Sequence, residues 1–124
     1  MQIIAVDFDG TLCVNAWPEI GAENKSVCDY VRNRQRNGAK LILWTCRRDD
    51  MLDKAVQWCR ERGIIFDAVN ENLPEMIEKF GGDCRKVYAD EYLDDKMVPL
   101  PMKRKSPDPG IVDLCKLLTK CTKN

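Results

Sequence analysis

The chain contains no histidine, and its apolar runs are short. The first absence excludes Ser-His-Asp and Cys-His catalysis, because both need an imidazole as base. The second excludes a membrane-spanning helix, which takes about 18–20 consecutive apolar residues. The N-terminus also lacks a basic region followed by a long apolar core. We therefore expect neither a signal peptide nor an association with membranes.

Cysteine is frequent, but it is not arranged in pairs. The seven cysteines form no Cys-x-x-Cys motif, and without histidine a zinc site would need unusual ligands. Cys28, Cys59 and Cys115 fall on the apolar faces of predicted helices, where a reduced thiol packs as a small hydrophobic group. These features favour a location in the reducing cytoplasm.

The chain has no excess of either charge, since 20 basic and 20 acidic side chains cancel. Residues 1–100 carry 14 Lys/Arg against 18 Asp/Glu, whereas residues 101–124 carry 6 against 2. An acidic body with a basic tail is not typical of proteins that bind nucleic acid through bulk charge. Nucleic acid is therefore expected only as a substrate. The run Lys103-Arg104-Lys105 is either a solvated charged segment or a contact for a phosphorylated partner.

Length and composition indicate one globular domain of 124 residues. Apolar periodicity, glycine and proline predict strands over 2–6, 39–44 and 64–69, helices over 24–37, 51–62 and 74–80, a loop over 12–23, and a strand or extended segment over 86–95. Four prolines predict a linker over 99–110, and an apolar stripe predicts a last helix over 111–122. The core of the domain is then residues 1–98.

Strands alternating with helices predict an α/β fold with a parallel sheet that is covered on both faces. In such sheets, ligands bind beyond the carboxyl ends of the strands. Four polar groups each follow a predicted strand, so we expect them to converge on one edge of the sheet: Asp7/Asp9, Thr45/Arg47, Asn70/Asn72 and Asp94/Asp95.

The stretch Asp7-Phe8-Asp9-Gly10-Thr11 follows a short strand rich in β-branched residues. In a strand, positions i and i+2 point to the same side, so both acids would face one pocket. Placing two carboxylates there is costly unless a cation joins them or one is protonated. The stretch therefore predicts a nucleophile and metal loop of a phosphoryl-transfer enzyme.

Together these motifs resemble those of the haloacid dehalogenase superfamily. Asp-x-Asp-Gly-Thr follows the first strand, Thr45 follows the second, and a lysine precedes an Asp94-Asp95 pair. The resemblance covers about residues 1–98. It is closest to small, nearly capless phosphatase-like members, whose last motif reads Tyr-hydrophobic-Asp-Asp-Lys/Arg. It implies a three-layer α/β/α sandwich with a Rossmannoid parallel sheet and a minimal cap or none.

The resemblance also implies the chemistry, a Mg²⁺-dependent phosphohydrolase. Asp7 would attack phosphorus to give an aspartyl-phosphate. Asp9 would donate a proton to the leaving oxygen and later accept one from water. The Asp7 side chain, the Asp9 backbone carbonyl and the Asp94/Asp95 pair would hold Mg²⁺.

Phosphate or substrate binding is implied for a further set of residues: Gly10, Thr11, Thr45, Arg47 and Lys86. Gly10 would allow a tight turn that brings backbone N–H groups to the phosphate, and the lysine would stabilise the transferring group. Lys86 lies only eight positions before Asp94, closer than in many members. Lys79 and Arg85 therefore stay as alternatives.

Several residues have two interpretations. Arg47 either binds the substrate or belongs, with Arg48, to a surface ion-pair cluster. Trp17 and Pro18 either cover the pocket or anchor their loop to the core. Asn70 and Asn72 follow a strand, but at least one of them is expected to cap the helix that begins after Leu73.

Asp90 is either a further acid beside the metal or a residue that forms a turn at the end of a strand. For the whole protein, the alternatives to a phosphohydrolase are a receiver-like phospho-acceptor domain and a catalytically silent Mg²⁺-binding relative. The substrate would be a phosphorylated small molecule or the phosphorylated end of a macromolecule. Because the expected pocket is open, a partner subunit that closes it is a further alternative, and the protein would then be an oligomer.

Overall fold

The computed structural model describes residues 1–99. The predicted terminal helix over 111–122, Cys115, the run Lys103-Arg104-Lys105 and the predicted linker beyond Pro99 lie outside them. Residues Met1–Asp94 form one compact unit. Its elements, in chain order, are β1 (Ile3–Val6), β2 (Cys13–Ala16), β3 (Glu19–Glu23), α1 (Lys25–Arg36), β4 (Lys40–Leu43), α2 (Asp49–Glu61), β5 (Ala68–Val69), α3 (Pro74–Phe80) and β6 (Glu91–Leu93).

Four strands form a parallel sheet in the order β5-β4-β1-β6. The chain therefore has the predicted mixed α/β fold. β1 lies between two neighbours, and all four of its residues are buried. Because successive side chains of a strand point to opposite faces, both faces of the sheet are covered at β1. This is the environment that its short β-branched sequence predicts.

The three helices predicted within residues 1–99 are present, with ends that differ by a few residues. α1 buries Val27, Cys28 and Val31 along one side, and α2 buries Ala55 and Cys59. α3 spans the range predicted from Pro74 to the glycine pair that follows it. None of these three helices has the length and apolar character that crossing a bilayer requires.

The prediction of a loop over residues 12–23 was wrong, because β2 and β3 form an antiparallel hairpin there. Buried and exposed residues do not alternate along either strand. The two-residue period from which a half-buried strand is predicted is therefore missing. Gly21 is the local sign of close pairing. A Cβ atom at this position would lie 2.1 Å from the carbonyl oxygen of Val14, so only glycine fits.

The strand predicted over 64–69 is reduced to the two residues of β5. Just before β5, the side chain of Asp67 takes the place of a backbone acceptor in the strand pairing. The N–H of Asp67 donates to the Leu41 carbonyl (2.8 Å), and Asp67 Oδ2 accepts from the Leu41 N–H (2.9 Å). Asp90 makes the same two bonds with Ile3, both at 2.7 Å. Asp90 thus lies at the amino end of β6, which favours the turn-forming interpretation over the metal-side one.

A buried carboxylate of β6 accepts hydrogen bonds from two side chains of α1. Glu91 is 3% exposed. It accepts hydrogen bonds from the hydroxyl of Tyr30 and from the guanidinium of Arg34, which also donates to the Tyr30 oxygen. Burial and the neighbouring carboxylate raise the pKa of Tyr30. The network compensates the burial of a charge within the strand that leads to Asp94 and Asp95.

Candidate functional site

Three carboxylates meet at the carboxyl edge of the sheet. β1 and β6 are parallel neighbours with Val6 opposite Leu93, and the N–H of Asp7 donates to the Leu93 carbonyl at 2.8 Å. The residues that follow the two strands are therefore brought side by side. One carboxylate oxygen each from Asp7, Asp94 and the adjoining Asp95 lies within 4.8 Å of the others, and all three residues are half-buried. We name these three residues the acid cluster.

The acid cluster has the donors that a hard divalent cation requires. Mg²⁺ takes oxygen ligands at about 2.0–2.1 Å in octahedral geometry, so two ligands on opposite sides of the ion are about 4.2 Å apart. Oxygens within 4.8 Å of one another reach such an arrangement through small side-chain movements. Without a cation, like charges about 4 Å apart repel by roughly 1–4 kcal/mol per pair near a protein surface. The residues present therefore fit Mg²⁺.

The turn after β1 is built around the carbonyl of Phe8, which accepts from the N–H groups of Thr11 (3.1 Å) and Leu12 (3.0 Å). Gly10 has a φ of 85°, which favours glycine, and its own N–H donates to the Cys13 carbonyl at 2.9 Å. Gly10 thus provides the predicted tight turn, but in this conformation its N–H does not point to a ligand. The buried Thr11 donates its hydroxyl to Asp7 Oδ2 at 3.3 Å.

Two backbone N–H groups of the same turn are in a different position. Within residues 1–99, the N–H groups of Phe8 and Asp9 donate to no backbone carbonyl. They belong to the first two residues after Asp7. They are therefore the candidate donors to an anionic ligand in this turn.

Thr45 follows β4 and is half-buried. Its N–H donates to Asn70 Oδ1 at 2.8 Å, and its hydroxyl oxygen accepts from the Arg47 N–H at 3.1 Å. The hydroxyl hydrogen of Thr45 can still be donated to a ligand. Asn70, which follows β5 with a φ of 55°, therefore fixes the loop after β4.

The expectation that Asn70 or Asn72 caps α3 was wrong. Leu73 occupies the N-cap position of α3, with no side-chain cap. Asn72 is buried, and its side-chain amide donates to Asp83 Oδ1 (2.7 Å) and the Cys84 carbonyl (3.0 Å), while its oxygen accepts from the Tyr88 N–H (2.6 Å). Asn72 thus holds the segment between α3 and β6 in place.

Asp9 and Arg47 form a bidentate ion pair. Nε and Nη2 of Arg47 donate to the two carboxylate oxygens of Asp9 at 2.7 Å each. The hydrogen bond from the guanidinium to Asp9 raises the pKa of Arg47. The Arg47 side chain is 1% exposed and that of Asp9 is 19% exposed, so the interpretation of Arg47 as part of a surface cluster was wrong. Arg48, by contrast, has a side chain that is 90% exposed.

Arg47 also holds the tip of the hairpin. It donates to the backbone carbonyls of Pro18 (3.3 Å) and Glu19 (3.0 Å). Its guanidinium carbon lies 5.1 Å from the ring centre of Phe8 and 4.9 Å from that of Trp17. Trp17 is therefore anchored through Arg47, although the residue is 57% exposed.

Each of the three candidate cations contacts groups outside the acid cluster. Lys86 is exposed, with its Nζ 5.8 Å from the ring centre of Tyr92, and Lys79 lies over the ring of Phe80. Arg85 bonds Asp83 (3.1 Å) and the carbonyl of Asn70 (3.4 Å). The choice among these cations stays open.

An open depression of about 690 Å³ lies beside the turn, between the hairpin and the start of α1. It is lined by Gly10, Cys13 and Val14 together with Glu23, Lys25 and Asp29. No member of the acid cluster lines this depression. Its charged side chains are of both signs, and Lys25 and Asp29 pair with each other at 3.0 Å.

Comparison with solved structures reveals a relative. A conserved protein from Bacteroides thetaiotaomicron is 36% identical to this chain, with a TM-score of 0.71. The match covers 97% of this chain and 91% of that protein. The chain belongs to the family of this bacterial protein. No family model matches the sequence, and no curated protein matches it. The family relationship therefore carries the fold, and the chemistry has to be argued from the side chains.

Proposed function

We propose that this protein is a Mg²⁺-dependent phosphohydrolase that acts on phosphate monoesters through an aspartyl-phosphate on Asp7. It would be a nearly capless member of the haloacid dehalogenase superfamily, with a three-layer α/β/α sandwich and a cytoplasmic location. The observation that carries the proposal is the grouping of Asp7 with Asp94 and Asp95, whose carboxylate oxygens lie within 4.8 Å of one another.

The acid cluster supplies the metal chemistry of the proposal. Asp7, Asp94 and Asp95 would hold Mg²⁺, which offsets their negative charge and allows a phosphate dianion to approach. The backbone carbonyl of Asp9 would be a further ligand. All of these donors are oxygen atoms, the type that Mg²⁺ prefers.

The reaction would take two steps. A carboxylate oxygen of Asp7 forms a bond to phosphorus while the ester P–O bond breaks, and the leaving oxygen takes a proton from Asp9. Water then gives a proton to Asp9 and attacks phosphorus, which breaks the bond to Asp7 and releases phosphate. The N–H groups of Phe8 and Asp9 and the hydroxyl of Thr45 are the candidate donors to the phosphoryl oxygens.

Asp9 needs a conformational change to perform this role. Both of its oxygens accept from Arg47, so the carboxyl group is turned towards the guanidinium. At least one of the two hydrogen bonds must open before Asp9 donates to a leaving group. Arg47 would then hold Asp9 in place and would not act as the phosphate-binding group predicted from the sequence, because most of its donors already have partners.

The same ion pair favours a second function. If Asp9 stays bound to Arg47, Asp7 is phosphorylated but the aspartyl-phosphate is not turned over, as in a phospho-acceptor domain. The order of the acids argues against a receiver, which places its adjacent acidic pair after the first strand. Here the pair follows β6, and the Asp-x-Asp motif follows β1.

Phosphate release with Mg²⁺ from a panel of sugar phosphates, nucleotides and polynucleotide ends tests the proposal. We expect turnover by the wild-type protein and near-complete loss in Asp7→Asn and Asp9→Asn, because the amide keeps the size but removes the nucleophile or the proton. Asp53→Asn, an exposed position of α2, is the matched control and should keep full activity.

Two outcomes would contradict the proposal. Equal turnover by Asp7→Asn would exclude the covalent mechanism. Release of one equivalent of the alcohol per protein without inorganic phosphate, together with a stable mass increase of one phosphoryl group, would favour the phospho-acceptor. Circular dichroism of each variant verifies that the fold is intact.

A further inference from the structure

We propose that Trp17 is a stacking platform for a planar, aromatic leaving group, so that the preferred substrates are phosphate esters of nucleosides or other aromatic alcohols. The proposal deepens the proposed function and rests on it. It starts from an unusual combination at the hairpin tip, a large aromatic side chain that is held in place and yet 57% exposed.

The position of the indole is fixed from one side. Arg47 packs against its ring at 4.9 Å, and the same guanidinium is held by Asp9, Phe8 and the carbonyls of Pro18 and Glu19. The N–H of Trp17 also donates to Asn15 Oδ1 at 3.2 Å. With one face against Arg47, the exposed area must come mainly from the other face and the ring edges. A ligand that stacks there finds a pre-organised surface, which lowers the entropy cost of binding.

The chemistry of the leaving group connects this surface with the reaction. The acid that protonates a leaving oxygen has to lie beside it, and in the proposed mechanism this acid is Asp9. The guanidinium of Arg47 contacts the Asp9 carboxylate on one side and the Trp17 ring on another. A leaving group that departs next to Asp9 therefore comes close to the hairpin tip.

A planar aromatic group would gain most from this surface. Stacking on an aromatic side chain contributes about 1–3 kcal/mol per base and tolerates different bases, since every base has a π-face. A sugar presents only a smaller C–H surface and has no π-face to stack. The proposal therefore separates two classes of substrate that the acid cluster treats alike, because both present the same phosphate.

Trp17 also packs against Arg47 of the Asp9–Arg47 pair, so its loss would affect every substrate if it disturbed that pair. A comparison of two substrates distinguishes the two roles. We propose to measure kcat/KM for a nucleoside 5′-monophosphate and for ribose 5-phosphate with the wild-type protein, Trp17→Ala, Trp17→Phe and Val14→Ala. Val14 is the matched control, since it is a 58% exposed apolar residue of the same hairpin.

Trp17→Ala should lower kcat/KM for the nucleotide about 5- to 150-fold, the range that corresponds to the loss of one stacked base. It should change the value for ribose 5-phosphate by less than twofold. Trp17→Phe should keep most of the nucleotide activity, and Val14→Ala should keep all of it. Binding of the nucleotide to Asp7→Asn, with and without Trp17→Ala, should show the same loss of affinity by calorimetry.

An equal fall in kcat/KM for both substrates would contradict the stacking proposal and would show that Trp17 acts through the Asp9–Arg47 pair. An unchanged kcat/KM of Trp17→Ala for both substrates would contradict the proposal as well. A wild-type protein that hydrolyses neither ester contradicts the proposed function itself, which separates the two failures.

Discussion

Both carboxylate oxygens of Asp9 accept hydrogen bonds from the guanidinium of Arg47, although the two residues lie 38 positions apart in the chain. The pair joins the turn after β1 to the loop after β4. Because Arg47 also bonds carbonyls of the hairpin tip, three segments depend on one side chain. The carboxylate with the most specific proposed role, proton transfer, is thus also part of the structural core of the site.

Replacement of Arg47 should cost substantial stability. Arg47→Met leaves the largely buried Asp9 carboxylate without a cation, and breaking a buried pair from one side costs about 3–5 kcal/mol. We expect the lower end of that range, because Asp9 keeps 19% side-chain exposure. Urea unfolding measures the loss. Arg48→Met, at an exposed neighbouring position, should change the free energy of unfolding by less than about 0.5 kcal/mol.

The double variant Arg47→Met with Asp9→Asn should regain part of the lost stability, because no unpaired charge remains. Equal unfolding midpoints for Arg47→Met and Arg48→Met would show that the ion pair does not contribute to stability in solution.

Mg²⁺ should stabilise the protein through the acid cluster. A ligand at 100 times its Kd adds about 2.7 kcal/mol to the free energy of unfolding, so the Tm should rise with the Mg²⁺ concentration. Asp94→Asn should lose most of this increase. Differential scanning fluorimetry, with Asp53→Asn as the control, measures this difference, and an unchanged Mg²⁺ response in Asp94→Asn would place the metal elsewhere.

Alkaline pH should destabilise the protein through its buried thiols. Burial raises the pKa of Cys28 to about 11 and that of Cys59 to about 12, from an ordinary value of 9.0. A group whose pKa is higher in the folded state stabilises fully below its unfolded pKa, and this contribution is lost as pH rises towards the folded pKa. Between pH 8 and pH 10 we expect a loss of roughly 1 kcal/mol for each thiol.

Urea unfolding between pH 8 and pH 10 measures how steeply the free energy of unfolding declines with pH. Cys59→Ala should make the decline shallower, whereas Cys46→Ala, at an exposed cysteine, should leave it unchanged. A stability that is constant from pH 8 to pH 10 would contradict the prediction.

The network around Glu91 should be sensitive to the charge of its carboxylate. Glu91→Gln removes the negative charge that Arg34 pairs with in a buried site, for which a cost of about 3 kcal/mol is expected. Tyr30→Phe removes one hydrogen bond to Glu91 and should cost about 1–2 kcal/mol. The exposed pair Lys25–Asp29 provides the comparison, because Lys25→Ala should cost less than about 0.5 kcal/mol. Similar unfolding midpoints for all three variants would contradict the structural role of the network.

The sequence predicted the parts of the fold that depend on local patterns. Apolar spacing gave the three helices, and the rule that parallel strands end at one edge predicted that Asp7 would meet Asp94 and Asp95. The structure brings these residues together. The prediction worked because β-strand register leaves little freedom to the residue that directly follows a strand.

The partners of Arg47 and Asn72 could not be predicted in the same way. Arg47 bonds a carboxylate 38 positions away and two backbone carbonyls, and a carbonyl acceptor has no signature in the amino-acid sequence. Asn72 bonds a carboxylate, a carbonyl and an N–H between 11 and 16 positions ahead. The hairpin was missed because its strands show no alternating burial, and β5 was overestimated because a side chain of Asp67 replaces part of the pairing.

The attachment of the hairpin to Arg47 has a consequence for divergence within the family. Pro18 and Glu19 hold the guanidinium through main-chain oxygens, which every amino acid possesses. Mutations at the tip can therefore accumulate without releasing Asp9, provided that the backbone path is kept. Descendants of a common ancestor are therefore free to exchange the side chains of the hairpin tip while inheriting an unaltered Asp9–Arg47 pair.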